Sequence, residues 1–294
     1  MRILEILDRN WNVYDPLNRD TGKSGEMVSE YLSSQGVEWR LGNLDDIRSA
    51  ETLLFKGVIV YPPGPRNVTR SVHLEMMKRI SDKPYVTLFG EPREYCALSY
   101  DLCDPAKAFS VAPGKRMNRI FFPSNWADPE VESWERRKDK ICWIGRPMRS
   151  RVQAAKRLIE EGIELDIYSK RPWPLEQWKG FAPDEMELSR QYRYRIVFEN
   201  EWTNKYHSEK LFNSIKYGCV TFYGSDASLD LPQLKGAYSP YSLENVKRRD
   251  ELAPSILSNI EQFMFSDSWK MYSMETFFET LINKLKEDAR ERKV

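Results

Sequence analysis

The stretch from Tyr192 to Gly224 constrains the fold of this chain more than any other. Its pattern predicts, in order, a short buried strand, a polar turn, a helix and a second strand: Arg195 to Phe198, the turn from Glu199, a helix opened by Ser208-Glu209-Lys210 and ended by Gly218, and Cys219 to Tyr223 closed by Gly224. Strands joined through a helix are parallel neighbours in most sheets. The stretch therefore predicts a βαβ unit.

Strand-like runs and helical patterns alternate along the rest of the chain. The strand-like runs are 2–7, 37–41, 57–61, 84–89, 119–123, 140–145 and 164–168, and the helical patterns are 25–35, 44–53, 72–80, 151–161, 185–192, 251–263 and 274–290. Near-continuous apolar runs that alternate with helices indicate a parallel sheet covered on both faces, and hence an α/β fold.

A charged segment from Asp128 to Lys140 interrupts this alternation, and the pattern restarts after it. Its composition is typical of a linker or an exposed helix. We therefore predict two Rossmann-like domains, 1–135 and 136–294, that face each other across a cleft. The C-terminal helices are expected to pack back on the first domain.

Composition narrows the class of protein. The 294 residues carry a formal net charge of +1, so no overall field attracts nucleic acid or anionic lipid, and any anion site must be local. The four cysteines are far apart and outside any Cys-x-x-Cys pattern: Cys96, Cys103, Cys142 and Cys219. Buried free thiols are expected rather than a disulfide framework or a zinc site.

The amino terminus runs straight into a strand without a signal peptide, and no apolar run approaches the ~20 residues of a spanning helix. We expect a soluble, cytoplasmic protein without a transmembrane segment, with peripheral contact to a membrane left open. The sequence does not indicate an oligomeric state.

Polar residues follow the first strand of the βαβ unit. In open α/β sheets, ligands bind beyond the carboxyl ends of strands, where a helix amino terminus attracts anions. We expect Glu199, Asn200, Glu209 and Lys210 to face this crevice. The alternative is an ordinary solvated first turn at Glu209 and Lys210, although a lysine there opposes the helix dipole unless an anion lies in front of it.

Three arginines, Arg146, Arg149 and Arg151, follow the predicted strand that ends at Gly145. They stand at the start of the first helix of the second domain, and guanidinium groups suit the oxygens of a diphosphate. At least one of the three is expected to be an ordinary surface arginine.

The polar residues also match a known signature. Phe198-Glu199-Asn200, Tyr206 and Ser208-Glu209-Lys210 resemble the signature of glycosyltransferase family 10, the α-1,3/1,4-fucosyltransferases, which reads Phe-Glu-Asn-Ser and then Tyr-(Val/Ile)-Thr-Glu-Lys. Tyr192-Arg193-Tyr194 resembles the family's Tyr-Arg-Phe. The chain departs from the signature at Glu201 and at His207-Ser208, and it lacks the usual proline of the strand from Cys219.

The resemblance implies a GT-B fold and an inverting transfer of L-fucose from GDP-fucose to a glycan hydroxyl. In that arrangement Lys210 and Arg151 neutralise the leaving diphosphate in place of a metal ion, and no cofactor is implied. The other residues that the resemblance places near the donor have different roles. Asn200 and Tyr206 are expected to position the donor, Glu209 to bind sugar hydroxyls, and Glu199 to shape the turn. Arg149 and Arg193 are further donor-binding candidates. No Asp-x-Asp motif, typical of metal-assisted GT-A transferases, occurs in the sequence.

Inversion also requires a base that removes the proton of the acceptor hydroxyl. The turn Phe89 to Glu94 follows a strand of the first domain, and family 10 carries a Gly-Glu pair near the corresponding place. Glu91 is the first candidate and Glu94 the second. The alternative is that Glu91 only caps the turn or pairs with Arg93.

Other functions stay open at this point. The donor sugar could instead be xylose or another deoxyhexose, and the chain could be a nucleotide- or glycan-binding module without turnover. A nucleic-acid partner is disfavoured because the sequence has no basic stripe. Nine tryptophans are present, and aromatic rings form good platforms for sugars, although most are expected in the core.

Overall fold

A computed structural model gives the fold. It describes residues 2–6, 33–42, 57–60, 85–89, 108–110, 118–119, 133–182, 185–200, 202, 207, 209–225 and 231–266, and single positions between 279 and 291. The chain divides into two compact units, one made of Met1–Ala127 and Lys270–Val294 and the other of Asp128–Trp269.

The first unit contains a six-stranded sheet. Its strands are β1 (Arg2–Ile6), β2 (Glu38–Gly42), β3 (Gly57–Val60), β4 (Tyr85–Phe89), β5 (Ala108–Ser110) and β6 (Asn118–Arg119). They lie in the order β2-β1-β3-β4-β5-β6, and each neighbouring pair is parallel. The predicted parallel sheet is confirmed for these strands. Most of the helices predicted between them lie outside the described residues.

The second unit contains a five-stranded sheet and the helices that the structure describes in full. The strands are β7 (Lys138–Ile144), β8 (Leu165–Tyr168), β9 (Tyr192–Phe198), β10 (Val220–Gly224) and β11 (Ser239–Pro240). The helices are α1 (Arg149–Glu160), α2 (Glu185–Arg190), α3 (Glu209–Lys216), α4 (Leu243–Lys247) and α5 (Arg249–Phe265). Short 3₁₀ turns cover Trp134–Arg136 and Pro232–Leu234.

This second sheet is parallel throughout and lies in the order β11-β10-β9-β7-β8. All residues of β10 are buried, and so are those of β9 except Arg193. Burial on both faces explains the near-continuous apolar runs at 196–198 and 220–223, which do not alternate with polar residues.

The strand order creates a switch point between β7 and β9. From β7 the chain adds β8 on one side, and from β9 it adds β10 and β11 on the other. Ligands of open α/β sheets bind at such a point, beyond the carboxyl ends of the two central strands. In this unit those ends are Ile144 and Phe198, which are followed by the residues that the sequence analysis selected.

Some element bounds differ from the prediction. The helix predicted over 185–192 ends at Arg190, and β9 begins earlier than predicted, at Tyr192. The reason is pairing across the sheet, because the backbone N–H of Lys138 donates to the carbonyl of Gln191 at 2.7 Å. The end of α3 is confirmed, since Gly218 has a φ of 69°, a conformation that glycine adopts without strain.

Two cysteines confirm the expectation of buried free thiols. Cys142 and Cys219 are free and buried, whereas Cys96 and Cys103 lie outside the described residues. Within the part of the chain that the structure describes, no helix is both long enough and apolar enough to cross a bilayer.

Candidate functional site

Glu199 lies at the centre of the candidate site, directly after β9. Its backbone N–H donates to the carbonyl of Gly224 at 3.0 Å, and its own carbonyl accepts from Nη2 of Arg151 at 3.1 Å. Oε1 accepts from the hydroxyl of Tyr223 at 2.8 Å, and Oε2 lies 3.5 Å from Nζ of Lys210. The side chain is 0% exposed. The carboxylate is therefore held from several directions and is not open to a ligand.

Arg151 reaches this turn from α1, the helix that follows β7. Its guanidinium is buried, and Nη2 lies 2.9 Å from the carbonyl of Phe198 and 3.1 Å from Oδ1 of Asn200, in addition to its bond with Glu199. Charged donors make stronger hydrogen bonds to carbonyls than neutral ones do. Arg151 thus joins the ends of the two central strands at the switch point and fixes the turn.

Lys210 is the second residue of α3, and 27% of its side chain is exposed. A lysine in the first turn opposes the helix dipole. The structure shows that a protein anion, the Glu199 carboxylate, already compensates it. Lys210 is partly exposed while its partner is fully buried, so Lys210 is the accessible member of this ion pair.

Two cations meet at the turn. Arg151 donates to the backbone carbonyl of Glu199, and Lys210 lies beside the carboxylate of the same residue, at the carboxyl end of β9. Cations placed beside a strand end favour an anionic ligand.

Aromatic rings pack around Phe198, the residue directly before the turn. The ring of Phe198 lies 4.7 Å from Trp143, 5.1 Å from Trp202 and 4.6 Å from Tyr241, measured between centroids. Burial raises the pKa of the Tyr241 hydroxyl. The cluster fixes the last residue of β9 and, through it, the position of the turn.

Trp202 is 45% exposed and stands beside the turn. Its ring occupies space that a side chain at position 224 would need, since an ideal Cβ on Gly224 would come within 2.6 Å of the Trp202 ring. β10 therefore ends in a residue without a side chain, which leaves room for the exposed indole.

The other predicted residues are placed as follows. Arg149 is exposed and is the first residue of α1, and Arg146 is exposed in the loop before it. These two fit the expectation that part of the arginine cluster is ordinary surface. Glu209 begins α3, and only its backbone is described. Glu91, Glu94 and Tyr206 lie outside the described residues.

Arg193 is not brought together with these residues. It lies near the amino end of β9, roughly 16 Å along the strand from Phe198 at the usual rise per residue. Its guanidinium donates to the carbonyl of Glu135 at 2.9 Å, lies 3.5 Å from the carboxylate of Asp139 and covers the ring of Trp134. These contacts give Arg193 a structural role at the opposite edge of the sheet.

Tyr223 and Trp202 contribute to the site without having been selected from the sequence. A tyrosine within a buried strand needs a partner for its hydroxyl, and this signal was present at Tyr223. Which carboxylate would accept from it depends on the pairing of β10 with β9, which places Tyr223 beside Val197. Among the described residues, no three His, Cys, Asp or Glu side chains are grouped so that they could hold a metal ion.

Solved structures provide the comparison with known proteins. The chain superimposes on an α1,3-fucosyltransferase crystallised with GDP with a TM-score of 0.55 at 9% identity, covering 97% of this chain and 90% of that one. It superimposes on the T4 phage β-glucosyltransferase with a TM-score of 0.55 at 13% identity, covering 97% and 99%. This chain has the fold of these glycosyltransferases.

A third solved structure extends the likeness. HepE of Anabaena, solved in complex with UDP and glucose, gives a TM-score of 0.50 at 7% identity and covers 98% of this chain and 100% of that one. No family model and no curated protein sequence matches the chain. At such identities the likeness shows the fold, and the argument about chemistry depends on the residues of the turn.

Proposed function

We propose that this protein is an inverting glycosyltransferase that transfers L-fucose from GDP-fucose to a hydroxyl group of a glycan without a metal ion. The observation that carries the proposal is the convergence of Arg151 and Lys210 on the turn after β9. This turn lies at the switch point of the sheet, in a chain that has the fold of glycosyltransferases. The resemblance of the same residues to the family 10 signature is a second support.

The chemistry assigned to the turn follows from the leaving group. When the bond from the anomeric carbon to the diphosphate breaks, negative charge develops on the departing oxygen. The ammonium of the partly exposed Lys210 is the group that stabilises this charge, and the buried guanidinium of Arg151 adds positive potential. Because Arg151 donates to Oδ1 of Asn200, the amide nitrogen of Asn200 is the group that can donate to the donor substrate.

The GT-B arrangement is part of the proposal. Two Rossmann-like domains would face a cleft, with the nucleotide sugar on the second and the acceptor on the first. Two parallel sheets, one in each unit, support this arrangement. In the first domain Glu91 takes the proton of the acceptor hydroxyl, with Glu94 as the second candidate.

Nucleotide binding tests the donor. We expect GDP and GDP-fucose, each at about 100 times its dissociation constant, to stabilise the fold by about 2.7 kcal/mol in thermal unfolding, while UDP gives little shift. Stabilisation by UDP but not by GDP would contradict the GDP-linked donor. UDP-xylose and GDP-linked deoxyhexoses other than fucose are the competing donors in the same assay.

Turnover tests the reaction. Release of GDP from GDP-fucose in the presence of a glycan acceptor is expected for the parent protein. The Glu91→Ala variant should lose this turnover while it keeps its affinity for GDP. Loss of turnover in Glu94→Ala but not in Glu91→Ala would instead assign the base to the second candidate. A parent protein that binds GDP but turns over no donor would instead be a binding module.

A further inference from the structure

The geometry points to Glu199 as a positioning residue that acts on the sugar donor through Lys210. Its buried carboxylate, held by Tyr223, sets the place of the Lys210 ammonium at the end of β9. Glu199 itself does not touch the donor, because its side chain is 0% exposed. This inference rests on the proposed function and adds to it a role for two residues, Glu199 and Tyr223.

The first step of the argument is that Glu199 is rigidly fixed. β10 holds it twice, through the Gly224 carbonyl and through the Tyr223 hydroxyl. α1 holds it once more, through the Arg151 guanidinium on its carbonyl oxygen. Residues held by buried hydrogen bonds from two elements keep one position, so Oε2 is a fixed point in the site.

The second step concerns the mobile partner. Lysine has a long flexible stem and a compact charge, so its ammonium has no defined place without a partner. Oε2 of Glu199 lies 3.5 Å from Nζ of Lys210 and provides that partner. The pair thus converts a flexible cation in the first turn of α3 into one with a defined position.

The third step concerns how loss of the Glu199 charge changes donor affinity and kcat. The negative charge of Glu199 lies close to the place assigned to the diphosphate and opposes its binding, so loss of this charge does not weaken the binding of the intact donor, GDP-fucose. Loss of the charge also removes the partner that fixes Lys210 at the end of β9. Stabilisation of a leaving oxygen requires a cation at one place at the moment of bond cleavage, so the cost falls on kcat and not on the affinity for the unreacted donor.

The test uses Glu199→Gln, which keeps the shape of the side chain and an oxygen that can accept from Tyr223. We expect kcat with GDP-fucose to fall by roughly 10- to 100-fold, while the dissociation constant of GDP-fucose, measured without acceptor, stays within about threefold of the parent value or decreases. A simple packing defect would not separate kcat from donor affinity in this way.

A double-mutant cycle with Lys210→Met identifies the route of the effect. If Glu199 acts through Lys210, Glu199→Gln changes kcat by less than about twofold once Lys210 is already replaced. An equal loss of kcat in the presence and in the absence of Lys210 would overturn the inference. An unchanged kcat in Glu199→Gln alone would overturn it as well.

Tyr223→Phe provides a second variant in case Glu199→Gln does not fold, which thermal unfolding detects. It keeps both charges and removes only the hydroxyl, so kcat should fall by roughly threefold to tenfold with the affinity for GDP-fucose unchanged. An unchanged kcat would count against the role of Glu199.

If the parent protein neither binds GDP nor releases it from GDP-fucose, the proposed function fails and the inference with it. If the parent does both and the variants behave like it, only the positioning role fails.

Discussion

At the scale of single residues, several charged side chains are buried in the second unit, and each has protein partners. Arg137 donates to the carbonyls of Tyr217 and Gly218 at 2.7 and 3.0 Å, beyond the end of α3. Arg195 on β9 pairs with Glu185 and donates to the hydroxyl of Ser189. Removal of one partner from such an arrangement costs far more than the net value of the bond, because the remaining group stays buried.

Arg151 provides the sharpest prediction at this scale. Arg151→Ala leaves the buried carbonyls after β9 without their charged donor, so we expect a loss of about 2–4 kcal/mol in the free energy of unfolding. The binding of GDP should weaken at least roughly tenfold as well, since the turn loses its anchor and the site one positive charge. Urea unfolding and a GDP titration measure the two effects.

Arg157→Ala is the matched control, because Arg157 is an exposed arginine of the same helix. Its replacement should change stability by no more than about 0.5 kcal/mol. Equal losses in the two variants would mean that the buried contacts of Arg151 do not matter, which contradicts the role given to it here.

At the scale of elements, the contact between the ends of β9 and β10 determines which side chains are tolerated. An ideal Cβ on Gly224 would lie 2.6 Å from Cδ1 and 2.8 Å from Cε1 of Phe198. The Phe198 ring cannot move aside easily, because Trp143 and Tyr241 pack against it. The absence of a side chain at position 224 is therefore a condition for the close approach of these strand ends.

The prediction is that Gly224→Ala costs about 1–3 kcal/mol in the free energy of unfolding, the usual range for overpacking. Its second close neighbour, Trp202, is partly exposed and can shift. The cost should therefore persist when Gly224→Ala is made in a Trp202→Ala background. Disappearance of the cost in that background would show that the exposed indole, and not the Phe198 ring, was the obstacle.

At the scale of the whole molecule, buried groups that stay protonated couple stability to pH. Burial is the main cause that raises the pKa of both the Cys142 and the Cys219 thiol above the ordinary value of 9.0. The unfolded chain releases these protons at its ordinary pKa, whereas the folded chain retains them. The stabilising contribution is thus complete below about pH 8 and decreases as the pH rises above the ordinary thiol pKa.

We expect the free energy of unfolding to fall by about 1–2 kcal/mol between about pH 8 and pH 9.5, measured by urea unfolding under reducing conditions. Cys219→Ala removes one of the two thiols, so the slope of stability against pH should become smaller in this variant. A slope identical to that of the parent would show that this thiol is not the source of the pH dependence.

Sequence patterns predicted the elements well where the signal was local. The strand before Glu199, the helix from Glu209 and its end at Gly218 follow from apolar runs, first-turn residues and a glycine close to one another in sequence. The helix predicted over 185–192 was too long, because the pairing of Gln191 with β7 competes with helix formation and comes from a distant segment.

The same distinction holds for the candidate site. Motif residues such as Asn200 and Lys210 could be selected from the sequence, since their identity and spacing are local properties. That Lys210 pairs with a buried Glu199, and that Tyr223 holds this carboxylate, depends on β10 lying beside β9. Arg193 was grouped with the site from its position in a motif, but it lies near the opposite end of the strand.

By itself, the sequence determined a parallel α/β fold and the turn after one buried strand as the candidate site, because apolar runs and turn residues act over short distances along the chain. Only the tertiary structure decided which charges meet at that turn and which of them are exposed. The reason is physical: the burial and partners of a charged side chain are set by neighbours that the sheet brings together from distant parts of the chain.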